Sequence, residues 1–189
     1  MEKTAVQKLA GALKVLVTIT LVCNLVALLL VPGMSLMKGP EGLLALTPYE
    51  NPLEVPLRVG IAFVLSWGWV WTAGVYEVVL ALFLLFCGIC TAVILWQGRR
   101  VLGTILTGAP FRAENGVSLR RAAVCCFLIA AAALARVVWG LFYYGSVAPL
   151  LTYNALFVPI FILGGLLCLV MSALFRQAAE LKAENDLTI

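Results

Sequence analysis

Histidine is absent from the 189 residues of this chain, which removes the commonest metal ligand, the commonest general base and the usual switch near neutral pH. Charge is scarce as well: 12% of residues are Asp, Glu, Lys or Arg, about half the ~25% of ordinary globular chains. The sequence holds no phosphate-binding glycine loop, no second C-x-x-C beside Cys87 and Cys90, and no nucleophile with a matching base. No metal, no cofactor and no catalytic residue is therefore expected, and the chain reads as non-enzymatic. Apolar surface is what it has in excess. A hydrophobic content of 63% and a mean hydropathy of +1.08 exclude a soluble enzyme domain, a disordered regulator and a direct nucleic-acid binder. They leave an all-α integral membrane protein long enough for about four spans.

The spans follow from uninterrupted apolar runs. Val15 to Val31 carries no charge over seventeen residues and forms span one. It is too long for a signal-peptide core and lacks a small-x-small cleavage site after it. Five of the eight prolines fall between Pro32 and Ala73, so 32–71 reads as an outer loop, with turns and extended chain from Leu36 to Pro56. Val59 to Leu95 is broken only by Glu77 and is too short for two crossings, which would need about 40 residues and a turn. Span two is placed at 72–95, and Val59 to Trp71 becomes an interfacial or re-entrant piece or the start of one long tilted helix. Trp67, Trp69, Trp71 and Tyr76 are amphipathic rings suited to the headgroup level there. A polar inner loop, 96–121, precedes span three at 122–143. Gly145, Ser146 and Pro149 make a turn, span four covers 155–175, and the polar tail is 176–189.

With the N-terminus inside, inner segments hold ten of the thirteen Lys and Arg and the outer loop two, Lys38 and Arg58. That asymmetry places both termini in the cytoplasm. Two charges stand inside apolar runs. Arg136 lies seven residues before the outer end of span three, about 10 Å deep. Its insertion cost of about 2.5–3.5 kcal/mol is roughly offset by the nine Leu, Ile, Val and Phe of that span. It should face the bundle, beside Ala132, Ala133 and Gly140. Glu77, about five residues into span two, is expected to pair with it, next to a small-residue stripe of Gly74, Ala81 and Gly88. The pair is either a proton or substrate site or a register-fixing ion pair.

Cys87 and Cys90 sit in span two, and Cys23, Cys125, Cys126 and Cys168 in the others. A membrane thiol oxidoreductase relays electrons through cysteines of an outer loop, and this outer loop has none. The cysteines are expected to pack as small apolar residues. Gly164, Cys168 and Ser172, spaced by four, offer a face on which a second copy could pack, giving a homo-oligomer.

Two inner segments are more specific. The loop reads Gly108-Ala109-Pro110-Phe111-Arg112-Ala113-Glu114-Asn115, then Leu119-Arg120-Arg121, and the tail ends Glu184-Asn185-Asp186-Leu187-Thr188-Ile189. From about span two onward the chain resembles an uncharacterised family of small four-span bacterial inner-membrane proteins with a Pro-Phe, Glu-Asn, Arg-Arg loop and an Asp-Leu-Thr tail. The resemblance implies a multi-pass inner-membrane protein of unknown activity. It also implies a cytoplasmic partner, because members are often encoded beside a Cro-type helix-turn-helix regulator. The long outer loop is a departure from the family.

In physical terms, Pro110 suits a first helical turn, Phe111 would anchor the loop against bilayer or bundle, and Asn115 could cap the helix of span three. The tail can stay helical to Glu184 and break near Asn185 and Asp186. Pro110, Phe111, Arg112, Glu114, Asn115, Arg120, Arg121, Asn185 and Asp186 are thus candidates for docking a cytoplasmic regulator. The bland reading is a solvated charge clasp between the loop arginines and the acidic tail, worth about 0–1 kcal/mol per pair. The function expected first is a non-enzymatic sensor or sequestering partner; a small oligomeric transporter, channel or immunity-type protein using Glu77 and Arg136 is the alternative. An inner arginine cluster also suits anionic lipid.

Overall fold

A computed structural model of the chain describes residues 5–36, 55–109 and 111–186. Five α-helices carry these residues, with no strand among them: α1 (Ala5–Leu36), α2 (Val55–Trp69), α3 (Val75–Leu106), α4 (Ala113–Tyr144) and α5 (Tyr153–Asp186). Short 3₁₀ turns, Val70–Thr72 and Ala148–Leu151, precede α3 and α5. Four of the helices, α1, α3, α4 and α5, are long and apolar enough to cross a membrane. α2, with 15 residues, extends about 22 Å and falls short of the ~30 Å hydrocarbon core.

The helices outrun the apolar segments. α3 has 32 residues, about 48 Å, and α5 has 34, about 51 Å. The expected inner loop, 96–121, accordingly narrows to the connection 107–112, and most of the expected tail, 176–186, is helix. Gln, Arg, Lys, Glu and Ala are good helix formers, so polarity without glycine or proline does not end a helix. Gly108 does end α3: at φ 74° it is left-handed, and Gly108 N–H donates to Ile105 O while Ala109 N–H donates to Thr104 O. This is the Schellman arrangement, which needs a residue without a Cβ penalty. Gly145, at φ 58°, ends α4 by donating to Leu141 O. α1 likewise starts before Val15 and runs through Pro32 to Leu36, where the outer loop was expected to have begun.

The chain forms two compact units. One comprises 25–88, the other 1–24 and 89–189. In the first, Val31, Val70 and Ala81 make the core, flanked by Leu84 and Leu85. Phe63 of α2 lies over Gly33 of α1, and Gly88 admits Leu28, whose Cδ2 is 2.5 Å from where a Cβ would stand. Pro32 lacks the N–H that would bond Leu28 O. One residue on, Leu29 O receives the indole N–H of Trp67 at 3.1 Å, which ties α2 to α1 within a turn of the proline.

The second unit is built on the antiparallel pair α4 and α5. Along α4 the buried positions Ala122, Cys126, Ile129, Ala133, Val137 and Gly140 follow a three-four spacing, flanked by Gly116, Ala123 and Ala130 at intervals of seven. Small residues let backbones approach. Gly165 of α5 sits under the Phe127 ring, Gly164 faces Cys126, and Ser172 donates its hydroxyl to Gly116 O at 2.7 Å. The Gly164, Cys168, Ser172 face, expected to meet a second copy, is therefore turned onto α4 of the same chain. Elsewhere the surface is Leu, Ile, Val and Phe, which in a bilayer meets lipid.

Candidate functional site

One end of the second unit gathers the start of α1, the end of α3, the start of α4 and the end of α5. A Cβ on Gly11 would stand 3.8 Å from Leu106, and one on Gly103 would stand 3.5 Å from Lys14 Nζ. Asn115, 2% exposed, donates Nδ2–H to Thr104 Oγ1 at 2.7 Å, tying α4 to α3 just inside their connection. Gly116 opens α4 to α5, where Ser172 O lies 3.1 Å from an ideal Cβ. This end carries Lys14, Arg100, Arg112, Arg120, Arg121 and Arg176.

Two clefts flank the first turns of α4. A polar one of about 280 Å³ is lined by Arg100, Gly103, Thr104, Thr107, Arg112, Glu114, Asn115 and Ser118. A more apolar one of about 330 Å³ lies between α4 and α5, lined by Ala113, Gly116, Val117, Arg120, Leu169, Ser172, Ala173 and Arg176. Phe111 closes over the same end, 6.4 Å from the Phe175 ring and tilted 41° to it. Along the projecting part of α5, Arg176 pairs with Glu180 at 3.6 Å, 73% and 64% exposed, and Leu181 is 66% exposed.

Of the residues expected to dock a partner, Arg112, Glu114 and Asn115 line the polar cleft, Arg120 lines the other, and Phe111 packs on Phe175. Arg121 is exposed on α4, and Asn185 is exposed in the last turn of α5, which ends at Asp186. Pro110 lies outside the described residues. The N-cap of α4 falls on Arg112, with φ −113° and ψ 137°, not on Asn115. The asparagine occupies the first turn, where Thr104 competes for its amide. The polar cleft also contains residues that the sequence had not singled out. Arg100, Thr104 and Thr107 share a face at three-four spacing once 96–106 is helical, a pattern hidden by reading that segment as loop.

In the first unit, Glu77 is the third residue of α3, closer to the helix start than expected. Its Oε2 lies 2.5 Å from where a Cβ on Gly74 would be, and Val78 N–H bonds Gly74 O. The carboxylate thus folds over its own helix N-terminus, where the helix dipole favours it. Arg136 is half-buried on α4, beside buried Ala133 and Gly140. Glu77 and Arg136 belong to different units. Trp67, Trp69 and Trp71 are 40%, 60% and 50% exposed, and Tyr76 is half-buried. All six cysteines are free thiols, and among the described residues no three of Cys, Asp and Glu converge as a metal-holding group.

Four long apolar helices, a fifth short one and a basic helical end define a multi-pass, all-α membrane protein. Residues 44–189 match the family model described as "Protein of unknown function (DUF2975)". The chain belongs to that family. No curated protein and no solved structure matches it.

Proposed function

We propose that the protein is a non-enzymatic bacterial inner-membrane protein whose basic, cytoplasmic end docks a soluble regulator. The observation that carries this reading is the continuation of α5 as an exposed helix to Asp186. Of the 34 residues of α5, about 20 suffice to cross the bilayer, which leaves about 14 surplus. The surplus presents Leu181 among Glu180, Lys182 and Glu184, a helix that can lie against a partner. The groove beside it adds exposed Val117 between Arg120 and Arg176. A helix-turn-helix regulator, the partner the family resemblance implies, would be held at the membrane and away from DNA when docked.

Affinity purification of the detergent-solubilised chain, full length and ended after Arg176, tests this. The truncation retains every contact of α5 with Gly116, so the bundle stays intact. Recovery of a regulator with the full chain and its loss on truncation is the expected result; equal recovery from both would sink the reading.

A further inference from the structure

We infer that the polar cleft between α3 and α4 is a binding site for a phosphate group. Three kinds of donor converge on it. Arg100 and Arg112 line it, and among the described residues neither guanidinium has an ion-pair or hydrogen-bond partner. A free guanidinium fork matches two phosphate oxygens at once. The first turn of α4 opens into the same space, and its N-cap, Arg112, provides no side-chain cap; the Asn115 N–H is bonded to Arg112 O, and the N–H groups before it can meet an anion. Ser118 is the third donor. It lines the cleft at 4% exposure, and among the described residues its hydroxyl has no hydrogen-bond partner. A hydroxyl on the cleft wall can donate to a phosphate oxygen there.

Charge and size narrow the ligand. Two cations, Arg100 and Arg112, line the cleft with one carboxylate, Glu114, and Lys14 Nζ lies 3.5 Å from where a Cβ on Gly103 would stand. At about 280 Å³ the cleft lies below the roughly 300–1,000 Å³ of sites for larger organic ligands, and it suits a phosphate with a small attached group. Its level in the bilayer fits as well. Trp96, 52% exposed with the Arg99 guanidinium 5.9 Å over its ring, marks the interface, and Arg100 follows one turn later. Phosphates stand at that level, whether on anionic lipid headgroups or on soluble phosphate compounds reaching the same surface. This site is independent of the docking helix and stands or falls without it.

The test uses the full chain purified in a neutral detergent. Its thermal unfolding is followed with inorganic phosphate against chloride at equal ionic strength, and in nanodiscs of phosphatidylcholine with and without phosphatidylglycerol. Arg112→Gln, at an exposed and unpaired residue, leaves the packing intact; Ser118→Ala removes only the hydroxyl; Arg99→Gln removes one charge outside the cleft. Stabilisation by phosphate or by phosphatidylglycerol, with apparent affinity reduced tenfold or more by Arg112→Gln and several-fold by Ser118→Ala but unchanged by Arg99→Gln, is expected. A response to phosphatidylglycerol alone assigns the site to lipid, and a response to inorganic phosphate assigns it to free phosphate. No stabilisation by either, or equal loss in all three variants, overturns the site.

Discussion

Helices α4 and α5 lie side by side, have nearly equal length, and are buried very differently. In its most apolar eighteen-residue stretch α4 has 39% of its residues buried, whereas α5 has 6%. α4 carries the intramembrane arginine, an alanine-rich seam and the lower hydropathy; α5 turns Ile160, Leu163, Leu167 and Val170 outward. The contrast shows two ways to hold a helix in a bilayer. α5 is held by lipid, because its outward side chains are as apolar as the acyl chains. α4 is held by neighbours, because small residues permit backbone contact and van der Waals packing where the hydrophobic effect offers no gain between helices.

If that contrast is right, substitutions of similar size should differ sharply between the two helices. The largest effect is expected for Ala123→Leu or Ala133→Leu, both at 0% exposure on α4. Overpacking there should cost about 1–3 kcal/mol or more in unfolding from mixed micelles, while Leu167→Ala on the outer face of α5 should cost well under that. Next comes Gly165→Leu, which drives a side chain into the Phe127 ring, already 2.9 Å from an ideal Cβ; a loss of about 1–3 kcal/mol is expected by the same measurement. Ser172→Ala removes the hydroxyl bond to Gly116 O and should cost about 0.6 kcal/mol, and no more than about 1.7, as for other interhelical bonds in membranes. The smallest effect belongs to Glu180→Gln. Its pair with Arg176 is exposed and contributes at most about 0.5 kcal/mol, so unfolding should be unchanged within error even if docking is lost.

Much of this architecture was legible from residue order. The apolar runs around Val15, Val78, Ala130 and Leu166 mark four spans, and Arg136 with Ala133 and Gly140 marks the helix that needs neighbours. Helix ends were not legible. Polar residues after Leu95 suggest that span two stops there, yet Gln97, Arg99 and Arg100 continue the helix until Gly108 supplies the left-handed turn. That error hid the cleft, since Arg100, Thr104 and Thr107 share a face only on a helix. Pro32 acts in the opposite direction: its position suggests a break, but α1 runs through it to Leu36, because a membrane helix tolerates one missing backbone bond where neighbouring segments pack around it. The small-residue face of α5 lies on α4 of the same chain; spacing shows which residues permit contact and not which helix arrives.

The central claim is that the projecting end of α5 meets a cytoplasmic protein. Photocrosslinking from position 181 in living cells tests it most directly, with position 167 on the lipid-facing side of α5 as the control. A covalent adduct with a soluble DNA-binding regulator from 181 and none from 167 is the predicted result. Adducts with lipid alone at both positions, or crosslinking at 181 only by reagents confined to the outer side of the membrane, would contradict it.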